Sequence, residues 1–214
     1  MSKELLKRII STLVLIPVSF FFIIKGKLLF TLFTLFILII TLYEWNSLSF
    51  KKKYYFPGFI FIFFSFYTFY YLRNEGDYKI FLLIIISCVG TDIGGYVFGK
   101  ILKGPKLIKI SPNKTYSGMF GSFIFSIIFS YIYFNNIVFF NLIEDDNFDL
   151  KIIIFVIFIS IISQIGDIII SFFKRKSELK NTGMIIPGHG GLLDRIDGMI
   201  FAFPAVFILL KIIQ

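Results

Sequence analysis

The sequence predicts an all-α bundle of about seven membrane-spanning helices, with the N-terminus on the cytoplasmic side. Of its 214 residues, 57% are hydrophobic and only 16% are charged. Soluble domains have about 45–50% apolar and about 25% charged residues. The mean hydropathy is +0.86, and long apolar runs alternate with short basic segments. These observations exclude a secreted globular domain, a disordered chain and a cytosolic enzyme.

Seven apolar runs are candidates for spans, because a helix needs roughly 20 mostly apolar residues to cross a bilayer. The first two are separated only by Lys25-Gly26-Lys27, which predicts a tight hairpin. No signal-peptidase pattern follows the first run, so we expect a retained span. The chain is predicted to form one membrane domain, with N-terminal spans in 1–80 and catalytic helices and cytoplasmic loops in 81–214. The runs are 6–24, 28–45, 54–72, 80–98, 119–142, 152–173 and 199–213.

The distribution of basic residues predicts the orientation. With the N-terminus inside, sixteen of the 22 Lys and Arg residues fall in inner segments and six in outer ones, as the positive-inside rule favours. The acidic loop 144–146 then faces outward. The basic residues behind the net charge of +9 are therefore expected to form a cytoplasmic surface suited to anionic lipid headgroups. No nucleic-acid partner is expected.

Two residue types limit the chemistry. Cys88 is the only cysteine and His189 the only histidine. The sequence therefore excludes a disulfide framework, a thiolate metal cluster and any mechanism that needs a pair of histidines.

A first candidate for function is Asp92, which lies inside an apolar run. A carboxylate there costs roughly 2.5–3.5 kcal/mol on insertion scales unless it faces a polar cavity, so we favour a functional role. Gly95 and Gly99 form a G-x-x-x-G pattern nearby. For these glycines we favour helix packing over ligand contact by about two to one.

A second candidate is the segment Ser111-Pro112-Asn113-Lys114-Thr115, predicted as a loop on the basic face. The ammonium of Lys114 and the hydroxyl of Thr115 can hold phosphate oxygens. The alternative is a basic loop that only fixes the topology. The segment lacks the glycine pattern of a P-loop, so an ordinary ATPase is not indicated.

The third candidate is the segment from the end of the sixth run to the start of the seventh. In a helix, Asp167, Ser171 and Lys174 share one face, because they are spaced by four and three residues. Asp194 and Asp197 are likewise three residues apart. Carboxylates that converge beside basic residues suit a hard divalent cation with phosphate substrates.

Basic residues around these carboxylates have a functional and a structural interpretation. Lys174, Arg175 and Arg195 could neutralise phosphates that a metal does not reach. Alternatively, the basic run anchors the topology, Asp194 and Arg195 form a local ion pair, and His189 packs in a glycine-rich turn. The structural interpretation leaves several carboxylates in or beside membrane helices without partners, which is costly. We therefore favour a catalytic site.

The residues from 171 to 197 read S-x-F-K-R-x(4)-K and then P-G-H-G-G-x-x-D-R-I-D. This pattern resembles the integral membrane phosphatidate cytidylyltransferases, also called CDP-diacylglycerol synthases. The segments 92–96 and 111–115 resemble the same family in order and spacing, and so do residues 8–17 and Glu44-Trp45.

The resemblance implies that a cytidylyl group passes from CTP to phosphatidate, giving CDP-diacylglycerol and pyrophosphate, at the cytoplasmic face of a bacterial inner membrane. It implies Mg²⁺, with a monovalent cation such as K⁺ as a second ion, and it leaves a homodimer open. Asp167 and Asp194 become the expected metal ligands, with Asp197 beside them. The other implied site residues are Lys174, Arg175, Lys180, His189 and Arg195 around the phosphates, with Ser171, and Asp92, Lys114 and Thr115 from the other half.

The chain departs from the family pattern at a few positions. Ile170 stands where the family usually has Glu, Asn181 where it has Asp, and Tyr116-Ser117 replaces Trp-Glu. An enzyme acting on another lipid phosphate and an inactive family member therefore remain alternatives. A small ion transporter is disfavoured, because the carboxylates cluster toward one face and no inverted repeat is visible.

Overall fold

The computed structural model describes residues 3–108, 111–139, 149–188 and 190–213. Within these ranges the regular structure is helical apart from one small antiparallel hairpin and an isolated bridge between Ile186 and Gly190, so the all-α prediction is confirmed. The segment 111–115, predicted as a loop, is instead a strand of that hairpin. The elements are α1 (Lys3–Lys25), α2 (Lys27–Ser49), α3 (Tyr55–Asn74), α4 (Tyr78–Ile101), β1 (Lys106–Ile108), β2 (Ser111–Thr115), α5 (Tyr116–Phe139), α6 (Leu150–Lys176), α7 (Leu193–Ile196) and α8 (Met199–Ile213).

Five of the described helices, α2 to α6, are long and apolar enough to cross a membrane. The chain is a polytopic membrane protein. Shorter apolar helical stretches are Ile10–Lys25 in α1 and Met199–Ile213, which is α8. The number of seven spans and the cytoplasmic N-terminus therefore stay predictions. Residues 140–142 of the fifth run and the acidic loop 144–146 lie outside the described residues.

Local signals in the sequence explain where several helices begin. The carboxylates of Asp77 and Asp149 accept hydrogen bonds from the backbone N–H of Lys79 and Ile152, at 2.8 and 3.0 Å. Each thereby satisfies a backbone donor that the first turn of α4 or α6 leaves unpaired.

The tight hairpin predicted at 25–27 is confirmed. Gly26 separates α1 from α2 and has a φ of 63°, a conformation that glycine adopts without steric cost. The Arg73 guanidinium packs over Gly26 and donates two hydrogen bonds to the carbonyl oxygen of Ile23, at 2.8 and 3.1 Å. Arg73 thus ties the end of α1 to the end of α3.

The apolar interior forms two main clusters that differ in position. The first is rich in phenylalanine and includes Phe30, Phe81 and Phe203 from α2, α4 and α8. The second cluster joins α2, α3, α6 and α8 to the short helix α7, which contributes Leu193. Its buried members are Trp45, Leu48, Ile62, Phe66, Ile170, Leu193 and Ile200.

Helices α4 and α5 meet along a seam of glycines and serines. A Cβ atom on Gly94 would overlap the carbonyl oxygen of Gly121, and one on Gly90 would lie 2.9 Å from the Cα of Ser126. Gly95 and Gly99 face α5 and the end of β2 in the same way, with looser contacts. Both glycines therefore pack against neighbouring elements, and Gly95 also lines the cavity described below, so the preference for packing over ligand contact stays a prediction.

We predict that Gly94→Ala destabilises the protein by about 1–3 kcal/mol, the usual range for overpacking a close contact. Thermal unfolding in detergent can be followed with a thiol-reactive dye, because the single cysteine, Cys88, is buried.

The matched control is Gly99→Ala on the same helix. Its new Cβ would lie 3.3 Å from the hydroxyl of Thr115 and 3.8 Å from the next nearest atom. This variant should unfold close to the wild-type temperature. Equal shifts for the two variants would contradict a close backbone contact at Gly94.

Candidate active site

A cavity of about 420 Å³ lies at one end of the bundle, where the C-terminal turns of α4 and α6 meet the hairpin, the start of α5 and helix α7. It is lined by segments far apart in the sequence, and its charged and amide side chains come from six elements or loops. They are Asp92, Lys114, Gln164, Asp167, Lys174, Asn181, Asp194, Arg195 and Asp197.

One face of α6 carries a row of polar side chains at this cavity. Ser171 donates a hydrogen bond of 3.3 Å to Oδ1 of Asp167, as the helical spacing predicted. The ammonium of Lys114, from β2, lies 2.5 Å from Oδ2 of the same carboxylate. Gln164 lines the cavity one turn before Asp167, and sequence reasoning missed it. An amide inside an apolar run was the available signal.

Asp194 connects α7 to α6 and to the preceding loop. Its Oδ1 accepts a hydrogen bond from the Lys174 ammonium at 2.7 Å. Its Oδ2 accepts hydrogen bonds from the backbone N–H groups of Thr182 and Gly191, at 2.9 and 3.1 Å. The Lys174 and Asp194 side chains are only 12% and 7% exposed. Both carboxylate oxygens are therefore engaged by buried donors.

Asp197 is a further buried carboxylate outside the long helices, with 8% of its surface exposed. Burial raises the pKa of Asp197 well above its ordinary value, and the nearby carboxylates of Asp167 and Asp92 raise it further. Lys174 and the N–H of Gly198 act in the opposite direction. The cavity thus concentrates negative charge, which a bound cation would offset.

The hairpin brings residues 111–115 to the cavity from the opposite half of the chain. Ser111, Lys114 and Thr115 all line it. The hydroxyl of Thr115 accepts a hydrogen bond of 3.1 Å from the N–H of Gly118 and so caps the start of α5. Among the described residues, Lys114 is therefore the cation of the hairpin that lines the cavity, whereas the Thr115 hydroxyl is already engaged locally.

Three of the predicted site residues that the structure describes do not line the cavity. Ser171 reaches the cavity only through Asp167. Arg175 is exposed and donates to the carbonyl oxygen of Leu179 at 3.3 Å. Lys180 is exposed and does not line the cavity. His189 lies outside the described residues.

The donor set can be compared with the needs of Mg²⁺. Among the described residues, no group of three or more His, Cys, Asp or Glu side chains is close enough to hold a metal ion. Mg²⁺, however, is usually bound by one or two carboxylates, several waters and the phosphates of its substrate. The side chains of Asp92, Asp167 and Asp197 line the cavity and supply only oxygen atoms as ligands. Their chemistry therefore fits Mg²⁺.

Comparison with known proteins now identifies the family. The model of the cytidylyltransferase family matches residues 6–78 and 54–213. The chain belongs to this family. Two relatives named phosphatidate cytidylyltransferase, from Staphylococcus haemolyticus strain JCSC1435 and Staphylococcus aureus strain COL, are 38% and 39% identical over 148 and 150 residues.

These matches cover 68% of the chain but 54% of each relative. The chain therefore spans about half the length of the curated relatives it matches. The match to the family model covers all three motif regions, since residues 92–96, 111–115 and 171–197 fall within the second matched segment.

Two of the departures from the family pattern occupy different environments. Asn181 lines the cavity beside Asp194, so a carboxylate at that position would add to the charge of the site. Ile170 is 3% exposed and belongs to the apolar cluster around Trp45 and Leu193. The isoleucine therefore belongs to the packing of the bundle and not to the lining of the cavity.

We predict opposite results from restoring the two family carboxylates. Asn181→Asp should strengthen the binding of Mg²⁺ to the protein, because it adds a negative charge at the cavity wall. Ile170→Glu should destabilise the protein by at least about 3 kcal/mol, the cost of an unpaired buried charge. Mg²⁺ titrations and thermal unfolding measure the two effects.

Ile170→Val is the control for packing, with an expected cost of about 0.5–1.5 kcal/mol. A stable, more active Ile170→Glu protein would show that position 170 reaches the site, contrary to its apolar surroundings.

Proposed function

We propose that the protein transfers a cytidylyl group from CTP to phosphatidate, giving CDP-diacylglycerol and pyrophosphate. One observation carries this proposal: the three family motifs, distant in sequence, line a single cavity that combines carboxylates with the cations Lys114, Lys174 and Arg195. The names of the relatives support the choice of substrates.

The reaction requires charge neutralisation and positioning more than acid–base chemistry. An oxygen of the phosphatidate monoester attacks the α-phosphorus of CTP, the bond to the β-phosphate oxygen breaks, and pyrophosphate leaves. The second pKa of a phosphate monoester is about 6, so the attacking group is already ionised near neutrality and no general base is needed. Lys114, Lys174 and Arg195 hold the phosphates in place and offset their charge.

We propose Asp167 and Asp197 as ligands for Mg²⁺, with Asp92 facing the same cavity. The ion would supply further neutralisation of the nucleotide phosphates. Asp194 stays a predicted ligand; its oxygens accept three hydrogen bonds, and those of Asp167 are engaged by Ser171 and Lys114. A second, monovalent cation such as K⁺ and a homodimer stay predictions as well.

We propose that the cavity lies on the cytoplasmic side of the inner membrane of a bacterial cell. Segments predicted to be inside on the basis of charge gather at the end of the bundle that holds the cavity. Tyr54, which follows the basic run 51–53, is hydrogen-bonded to Ser177 at 2.9 Å. Ser11 of α1 donates to the carbonyl oxygen of Pro187 at 3.2 Å. A water-soluble nucleotide and a lipid headgroup can meet at such an end.

The activity is tested by CDP-lipid formation from CTP and phosphatidate in detergent, with and without Mg²⁺. We expect product only with Mg²⁺, and a loss of at least about 100-fold for Asp167→Asn, the scale seen when a preorganised charged group is removed.

The control is Asp149→Asn at the other end of the same helix. Asparagine caps helices as well as aspartate does, so this variant should stay active. Full activity of Asp167→Asn would contradict the proposed ligand. If product forms only with another lipid phosphate, that lipid and not phosphatidate is the substrate.

The orientation is tested with single cysteines in a Cys88→Ser background. An impermeant maleimide added to intact cells should label Glu75→Cys, at the end of α3 away from the cavity, but not Lys52→Cys. Lysis should make Lys52→Cys reactive. The reverse pattern would place the cavity on the outer face and contradict the proposed access of CTP.

A further inference from the structure

Glu44 is a buried carboxylate of α2 that does not line the cavity. Only 1% of its surface is exposed. Its Oε1 accepts a hydrogen bond of 2.8 Å from the N–H of Leu192. Its Oε2 accepts hydrogen bonds from the N–H of Leu193, at 2.8 Å, and from the hydroxyl of Thr182, at 2.9 Å. All three donors belong to the glycine-rich segment between α6 and α8.

Two glycines in that segment leave room for the carboxylate. A Cβ atom on Gly183 would lie 2.7 Å from Oε1 of Glu44, and one on Gly191 would lie 2.6 Å from Oε2. Such separations are far below a normal van der Waals contact. The glycine-rich segment therefore closes around the Glu44 side chain as well as turning the chain toward α8.

The residues that Glu44 holds lead directly into the cavity. Leu193 is the first residue of α7, and Asp194 and Arg195 follow it. Asp194 in turn accepts hydrogen bonds from the N–H groups of Thr182 and Gly191. Glu44 and Asp194 thus bind the same two stretches of chain, residues 182–183 and 191–193. Glu44 binds them from α2, and Asp194 binds them from the side of the cavity.

We propose that Glu44 is a positioning residue, which fixes Asp194 and Arg195 in the cavity without contacting the substrates. This role rests on the proposed cytidylyl transfer. It differs from ordinary core packing, because a carboxylate that only filled space would not need three donors from one functional segment. A displacement of about 1 Å at a reacting group can cost about 10²-fold in rate, so the anchor matters for turnover.

The decisive variants are Glu44→Gln and Glu44→Asp. The glutamine amide has one acceptor oxygen, so its NH₂ group would face at least one of the N–H groups of Leu192 and Leu193 and leave it unpaired. Aspartate keeps the charge but is one methylene shorter, so it cannot reach all three donors. Thr182→Val removes only the hydroxyl contact and should have a smaller effect of the same kind.

Thr41→Val and Ser49→Ala are matched controls on the same helix. Both hydroxyls are buried, and they donate to carbonyl oxygens of α2 itself, those of Ile37 and Trp45, at 2.8 and 2.6 Å. They test the loss of a buried polar group from α2 without disturbing the glycine-rich segment.

Two measurements on the full-length protein in detergent test the role. The first is backbone hydrogen exchange in peptides that cover residues 182–195, which needs no substrate. The second is kcat and KM for CTP and phosphatidate per folded molecule. We expect faster exchange and about a 10- to 100-fold lower kcat for Glu44→Gln and Glu44→Asp, whereas the two controls should match the wild-type protein in both measurements.

Unchanged exchange in residues 182–195 would overturn the proposal. So would a loss of activity that disappears when rates are corrected for the folded fraction, since that pattern belongs to a purely structural residue. If the wild-type protein makes no CDP-lipid, the proposed function fails. Hydrogen exchange then still decides whether Glu44 holds the segment that carries Asp194.

Discussion

The ion pair between Lys174 and Asp194 is the interaction on which the rest of the site depends. It joins the last turns of α6 to α7, and both side chains are mostly buried. Removing one partner of a buried pair costs about 3–5 kcal/mol, because the other charge is left without compensation. The pair also orients the second oxygen of Asp194 toward the N–H groups of Thr182 and Gly191, which ties the glycine-rich segment to α7.

A membrane protein can hold such a site only if its charges compensate one another and lie near water. Asp167 is paired with Lys114 and Asp194 with Lys174, so each of these carboxylates has a cation from another element. The close α4–α5 seam around Gly94 places the hairpin against the end of α4 and thereby brings Lys114 to α6. Helix packing and charge pairing therefore depend on each other.

Sequence reasoning located the five long apolar helices and the shared face of Asp167, Ser171 and Lys174, because hydropathy and helical spacing are local properties. It did not identify the hairpin, since strand pairing over three to five residues leaves no periodic signal. It kept another lipid substrate and an inactive protein as alternatives partly because of Ile170, a side chain that belongs to an apolar cluster in the structure. Only the rotation of α6 against its neighbours decides which face meets the cavity.

By itself, the sequence determined that the chain is a helical membrane protein and that its motifs contain carboxylates and cations suited to phosphate chemistry. The tertiary structure decided which of these groups meet. It gathered Asp92, Lys114 and Asp167 at one cavity and turned Arg175 and Lys180 away from it. It also assigned Glu44 to the backbone of the glycine-rich segment. The physical reason is that hydrogen bonds and ion pairs between distant segments depend on how helices pack, which no local pattern specifies.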